Sequence, residues 1–184
     1  MRKNIYLVGF MGTGKSTIGR ELAKVTGRAF IDMDLEIEKR FEMNVNQIFD
    51  TYGEDFFREK EQELAFELIA KSNHVVSTGG GTIMNEEIYD AFKKSGIMIC
   101  LFADKNELLE RLKRTNKRPS LRVESIENKV EELLKERRIV FDSVPIKVNT
   151  SNMTPLEVVG KLVKLFKIRN NILEKLTDGH FEID

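Results

Sequence analysis

A short apolar run, Ile5–Val8, leads directly into Gly9-Phe10-Met11-Gly12-Thr13-Gly14-Lys15-Ser16, and a segment with helical spacing, Ser16–Val25, follows at once. No other stretch restricts the fold as strongly. The pattern G-x-x-x-x-G-K-[ST] between a strand and a helix is a phosphate-binding loop. Glycines at 9, 12 and 14 let successive N–H groups turn inward around an anion at the helix N-terminus, where a side chain would obstruct the phosphate. Lys15 is placed to reach the β- and γ-phosphates as a point charge, and the Ser16 hydroxyl to ligate Mg²⁺. The expected nucleotide contacts are Gly12, Thr13, Gly14, Lys15, Ser16 and Thr17, with Lys15 also catalytic.

Further short apolar runs occur at Ala29–Ile31, Val75–Ser77, Ile97–Phe102 and Ile146–Val148, each bounded by glycines or polar turns. Such runs suit parallel strands covered on both faces. Between them lie helical patterns at Glu54–Ala70, Asn85–Lys93, Asn106–Arg114 and Ile126–Phe141; Phe57, Leu64, Phe66 and Leu68 form the apolar stripe of the first. Pro155 suits the first turn of a last helix through Phe166, capped by Thr154 or Asn152. Alternation of this kind predicts an α/β three-layer sandwich, a five-stranded parallel sheet flanked by helices with right-handed crossovers. The 184 residues fit one domain, 1–168, with a polar tail of unknown role at 169–184. Arg114-Thr115-Asn116-Lys117-Arg118-Pro119-Ser120 breaks the helical pattern and predicts a mobile surface loop.

Composition narrows the partners. Thirty Lys+Arg balance thirty Asp+Glu, so there is no global positive field to draw the chain onto nucleic acid or anionic lipid. Any anion site must be local. The single cysteine, Cys100, sits inside the run Ile97–Phe102 and reads as a small core hydrophobe. The amino end resembles a signal peptide only briefly, because its apolar run stops after four residues at Gly9. No stretch reaches the ~20 apolar residues that span a bilayer. The cytoplasm is the expected compartment. His74 and His180 stand far apart without cysteine partners, which argues against a transition-metal centre.

Asp32 and Asp34 follow the second apolar run at alternate positions, at the C-terminal end of a strand where open α/β sheets bind ligands. They share a face if the strand continues; equally, one of them is simply the N-cap of a helix over Leu35–Phe41. Further on come Gly53-Glu54-Asp55-Phe56-Phe57-Arg58-Glu59-Lys60-Glu61 and Ser77-Thr78-Gly79-Gly80-Gly81. The phosphate loop, the Asp-x-Asp, the G-E-x-x-F-R-x-x-E segment, the triple glycine and Arg118-Pro119, in this order, closely resemble shikimate kinase over about residues 3–166.

That resemblance implies a P-loop kinase fold with a mobile lid at about 112–124, ATP as co-substrate, one Mg²⁺ and shikimate as acceptor. It implies that Asp34 grips the acceptor hydroxyls and positions or deprotonates the attacking one. Arg58, the N–H groups of Gly79, Gly80 and Gly81, and Arg137 would hold the acceptor carboxylate, for which a guanidinium fork is suited. Glu61, one helical turn from Arg58, would orient it. Asp32 would hold the Mg²⁺ shell through water, Phe49 and Phe57 would wall the acceptor ring, and Arg118 would be the catalytic lid arginine over ATP. The resemblance also implies a cytoplasmic monomer.

The chain departs from the family at three places. Ile139-Val140-Phe141 replaces a usual Pro-Leu-Tyr, Ser120 replaces a common leucine, and Asn149–Pro155 carries no basic residue for the adenine side. Two rival readings are a gluconate or nucleoside kinase of the same fold, and a nucleotide-binding regulator that has lost phosphoryl transfer. Against the first stands the set Asp34, Arg58, triple glycine and Arg137, although a gluconate-type acceptor also has hydroxyls and a carboxylate; against the second, every acceptor and lid residue that the resemblance implies is present.

Overall fold

The computed structural model describes residues 3–114, 123–169 and 181–183; Arg118, Ser120 and most of the expected lid lie outside them. Its centre is β1 (Asn4–Val8), buried along its whole length. Alternate side chains of a strand point to opposite faces, and here each face has its own layer. Ile5 and Leu7 join Ile18 and Leu22 of α1 (Lys15–Thr26) and Val158 and Leu162 of α8 (Pro155–Arg169) on one side. Tyr6 and Val8 join Leu64 and Leu68 of α4 (Glu54–Ile69) and Phe92 of α5 (Glu86–Ser95) on the other. Each fully buried side chain of this size contributes about 1.5–3 kcal/mol relative to exposure. The Tyr6 and Phe92 rings stack at 3.9 Å between centroids.

The remaining strands are β2 (Ala29–Asp32), β3 (His74–Ser77), β4 (Gly96–Phe102) and β5 (Ile146–Asn149), all parallel to their neighbours. The sheet has six strands rather than the expected five, in the order β2-β3-β1-β4-β5-β6. The extra one, β6 (Phe181–Ile183), comes from the polar tail and pairs in parallel with β5. A three-residue strand among charged residues has too little apolar alternation to be read locally. Cys100 on β4 is buried, and burial pushes its thiol up to about 12.

Three local readings change. A helix not expected from the pattern, α3 (Val45–Tyr52), joins α2 (Met33–Phe41) to α4, and its signal is the capping box Asn44 with Gln47. On α4 the stripe is Phe57, Glu61, Leu64 with Ala65, and Leu68, so Phe66 falls on the outer side and is exposed. Of the two candidate caps for α8, Thr154 has the role: its hydroxyl accepts from the Glu157 N–H at 3.3 Å, and Glu157 reaches back to the Thr154 N–H at 2.7 Å. Helices α6 (Lys105–Arg114) and α7 (Val123–Asp142) complete the fold.

Candidate active site

The carboxyl ends of β1, β2 and β3 lie side by side because the sheet order is β2-β3-β1, and the phosphate loop, the Asp-x-Asp and the triple glycine each stand at one of these ends. After β1 the chain makes the phosphate loop, in which Gly9, Gly12 and Gly14 all have positive φ. Gly9 is also the closest approach in the loop: a Cβ there would stand 2.1 Å from the Leu101 carbonyl oxygen on β4. Lys15 is buried, and its ammonium donates to the Gly9 and Phe10 carbonyls at 2.8 and 3.0 Å. Thr13 is buried and bonds Phe10 O at 2.8 Å. Ser16 and Thr17 face solvent on the first turn of α1.

Asp32 ends β2 and starts α2, so the two aspartates do not share a strand face. Asp32 is the cap: its Oδ1 accepts from the Leu35 N–H at 3.3 Å. Capping leaves its second oxygen over. Asp32 Oδ2 is buried and has no hydrogen-bond partner among the described residues. In β-sheet register with Asp32 is Ser77, a buried residue at the end of β3 whose hydroxyl lies 3.4 Å from that of Ser16. Two hydroxyls and an unused carboxylate oxygen at the mouth of a phosphate loop are hard oxygen donors of the kind Mg²⁺ takes. Ser77 was missed in the sequence because a serine at the end of an apolar strand carries no pattern of its own.

Asp34 is the second residue of α2, half-buried. It meets the triple glycine at Gly79, where a Cβ would lie 2.8 Å from Asp34 Oδ1 and 2.6 Å from Glu61 Oε1. Both carboxylates thus reach the turn only because Gly79 has no side chain. Gly80 joins the two halves of the site: a Cβ on it would be 3.4 Å from the Met11 N of the phosphate loop and 3.8 Å from Arg137 Nη1. Gly81 packs under Arg58, with both terminal nitrogens within 3.2–3.3 Å of where its Cβ would be.

Arg58 and Arg137 differ in a way that matters for an anionic ligand. Arg58 is held by Glu61 at 2.8 Å and by Glu54 at 2.8 Å. Burial would lower its pKa, but Glu61 and Glu54 together hold it above its ordinary value. Arg137 donates to the Gly80 carbonyl at 2.9 Å, while its buried Nε has no hydrogen-bond partner among the described residues. Burial pulls its pKa down, Glu136 offsets part of this, and the nearby Arg58 charge adds to the lowering. Arg137 therefore forms no ion pair among the described residues, and it stands beside a second cation. Adjacent Arg138 points away, 80% exposed and paired with Asp142. A cavity of about 300 Å³ opens here, lined by Glu54, Arg58, Glu61, Gly81 and Arg137 among others.

Of the aromatic residues expected at the acceptor ring, Phe57 is buried and Phe49 meets it edge-on at 5.0 Å between centroids. Asn149–Pro155, the segment expected on the adenine side, has a basic neighbour although it contains no basic residue itself. Arg111 comes across from α6, donating to Thr150 O at 2.7 Å and to Gly12 O at 3.2 Å. Arg118 lies outside the described residues.

The family profile of shikimate kinase matches residues 11–167. A shikimate kinase of Thermodesulfovibrio yellowstonii is 40% identical over 92% of this chain and 98% of its own length. Among solved structures, a shikimate kinase of Acinetobacter baumannii in complex with shikimate superposes with a TM-score of 0.86 at 35% identity, covering 94% of this chain and 96% of that one. A gluconokinase of Sinorhizobium meliloti shares the fold alone, with a TM-score of 0.61 at 16% identity over 95% of this chain and 99% of that one. The separation between these last two, with sequence identity following the first and not the second, resolves what the site geometry left open: this chain belongs to the shikimate kinase family.

Proposed function

We propose that the chain transfers the γ-phosphoryl group of ATP to the 3-hydroxyl of shikimate, giving ADP and shikimate 3-phosphate for aromatic amino acid biosynthesis. The observation that carries the acceptor half is the under-satisfied Arg137 beside Arg58, separated from the phosphate loop only by Gly80. Two guanidinium groups at one end of a small cavity suit a carboxylate held by charge-assisted bonds. With the carboxylate so anchored, the acceptor hydroxyls would fall toward Asp34, on the Gly79 side of the turn.

In this reading Asp34 orients the attacking hydroxyl and accepts its proton, and Phe57 with Phe49 walls the ring. Lys15 exchanges the Gly9 and Phe10 carbonyls for the β- and γ-phosphates, a swap that costs it little because both sets are oxygen acceptors. Ser16 and the free oxygen of Asp32 would hold Mg²⁺, Asp32 through water, and the ion would neutralise charge on the phosphate oxygens. Arg118 would close over ATP from the lid, excluding water that could otherwise accept the phosphoryl group. The chain would act as a cytoplasmic monomer; among the described residues no helix is long and apolar enough to cross a membrane.

A coupled ADP-release assay over shikimate, gluconate and nucleosides tests the acceptor directly. Turnover confined to shikimate is the expected result; comparable rates with gluconate would overturn it. Arg137→Ala should weaken shikimate binding about 10- to 100-fold, the scale of a lost hydrogen bond to a charged group, and leave the KM for ATP unchanged. Arg58→Ala should do the same at a further cost in Tm, because it strips the cation from the buried Glu61 carboxylate. Normal shikimate affinity in both variants would mean a different acceptor.

A further inference from the structure

We infer that Thr82 is a positioning residue for acceptor binding: its hydroxyl fixes the Glu61 carboxylate, which holds Arg58 against the glycine turn. The inference rests on the shikimate reading above, since it is the acceptor carboxylate that Arg58 would meet. Thr82 opens a single 3-10 turn, Thr82–Met84, immediately after the triple glycine, and it is 1% exposed. Glu61 is also 1% exposed. The Thr82 hydroxyl hydrogen-bonds Glu61 Oε1, and a second acceptor, the Gly79 carbonyl, lies farther off at 3.2 Å. A hydroxyl has one proton to give, and the nearer, charged oxygen takes it.

The two oxygens of Glu61 then have one donor each, from different parts of the chain. Oε2 takes Arg58 Nη1 at 2.8 Å from the same helix; Oε1 takes Thr82 from the turn 21 residues on. Arg58, itself bonded to Glu54, ties the carboxylate only within α4. Thr82 ties that pair to the turn whose glycine N–H groups would meet the same ligand, so the guanidinium and the turn are held in one register. The guanidinium so held lies over Gly81, where a Cβ would come within 3.2–3.3 Å of its terminal nitrogens. A second tie between α4 and the segment after the turn, Asn85 to Gln62 at 3.4 Å and Gln62 to Glu87 at 2.7 Å, includes no hydrogen bond to Arg58 among the described residues and serves as a control.

The experiment measures shikimate Kd by titration calorimetry, Tm, and separate KM and kcat values for wild type, Thr82→Val, Thr82→Ser and Gln62→Ala. Thr82→Val keeps shape and removes the donor. It should weaken shikimate roughly tenfold, the order expected for a lost hydrogen bond to a charged group, with kcat at saturating shikimate and the KM for ATP little changed. Thr82→Ser should restore wild-type affinity, and Gln62→Ala should retain it. Should Thr82→Val not fold, Thr82→Ala carries the same expectation without a methyl beside the carboxylate. A lowered Tm with wild-type shikimate affinity in the donor-less variant, or a serine variant no better than valine, overturns the positioning role alone. A wild-type chain that gives no heat with shikimate overturns the acceptor assignment and this inference with it.

Discussion

Replacing Lys15 by alanine is expected to abolish phosphoryl transfer, lowering kcat by at least about 10²–10³-fold, as removal of a preorganised charge from a transition state does. The ammonium is buried in the loop on the Gly9 and Phe10 carbonyls, and once it has exchanged these for phosphate oxygens it stands beside the β/γ oxygens on which charge develops. The loop itself should persist, because its shape is set by the backbone at Gly9, Gly12 and Gly14 and by the contact of Gly9 with β4. Residual nucleotide binding with lost turnover is thus the expected combination. Near-normal kcat in this variant would contradict the nucleotide assignment.

Asp34→Asn should cost at least about 10²-fold in kcat, the lower end of what a positioned proton acceptor contributes. Amide and carboxylate are nearly equal in size, so the contact at Gly79 and the fold should survive, and the KM for ATP should change little. Asp32→Asn is expected to behave differently. Its cap on Leu35 needs only an oxygen acceptor, which asparagine keeps, so α2 should remain. The buried Oδ2 is where the substitution acts, and its effect should be a higher Mg²⁺ requirement with kcat recovered at saturating Mg²⁺. Steady-state rates across a Mg²⁺ series separate the pair. An Asp34→Asn defect cured by added Mg²⁺ would show the two roles exchanged.

The contrast between these aspartates also marks how far local sequence reaches. A strand ending in Asp-x-Asp is compatible with a continued strand or a helix cap, and nothing within the two residues decides. The start of α2 at Met33 decides it, turning one carboxylate into a cap and sending the other toward Gly79. Likewise Arg137 and Arg138 are adjacent on α7, and only the packing of that helix on the glycine turn turns the first toward Gly80, 57 residues away in sequence, leaving the second in water. The cation near Thr150 comes from Arg111 on a different helix, so inspecting Asn149–Pro155 alone could not find it.

By itself, the amino-acid sequence determined the phosphate loop, strands β1 to β5 and the helices around them other than α3, because each is encoded by consecutive residues: glycines where amides must converge on an anion, apolar runs where both faces are covered, and periodic stripes elsewhere. Tertiary structure decided the rest. Which oxygen of Asp32 is left over, which arginine turns to Gly80, how Thr82 reaches Glu61, and that the tail adds a sixth strand all depend on side chains or strands far apart in sequence being brought together, and contacts of that kind leave no periodic trace in either partner.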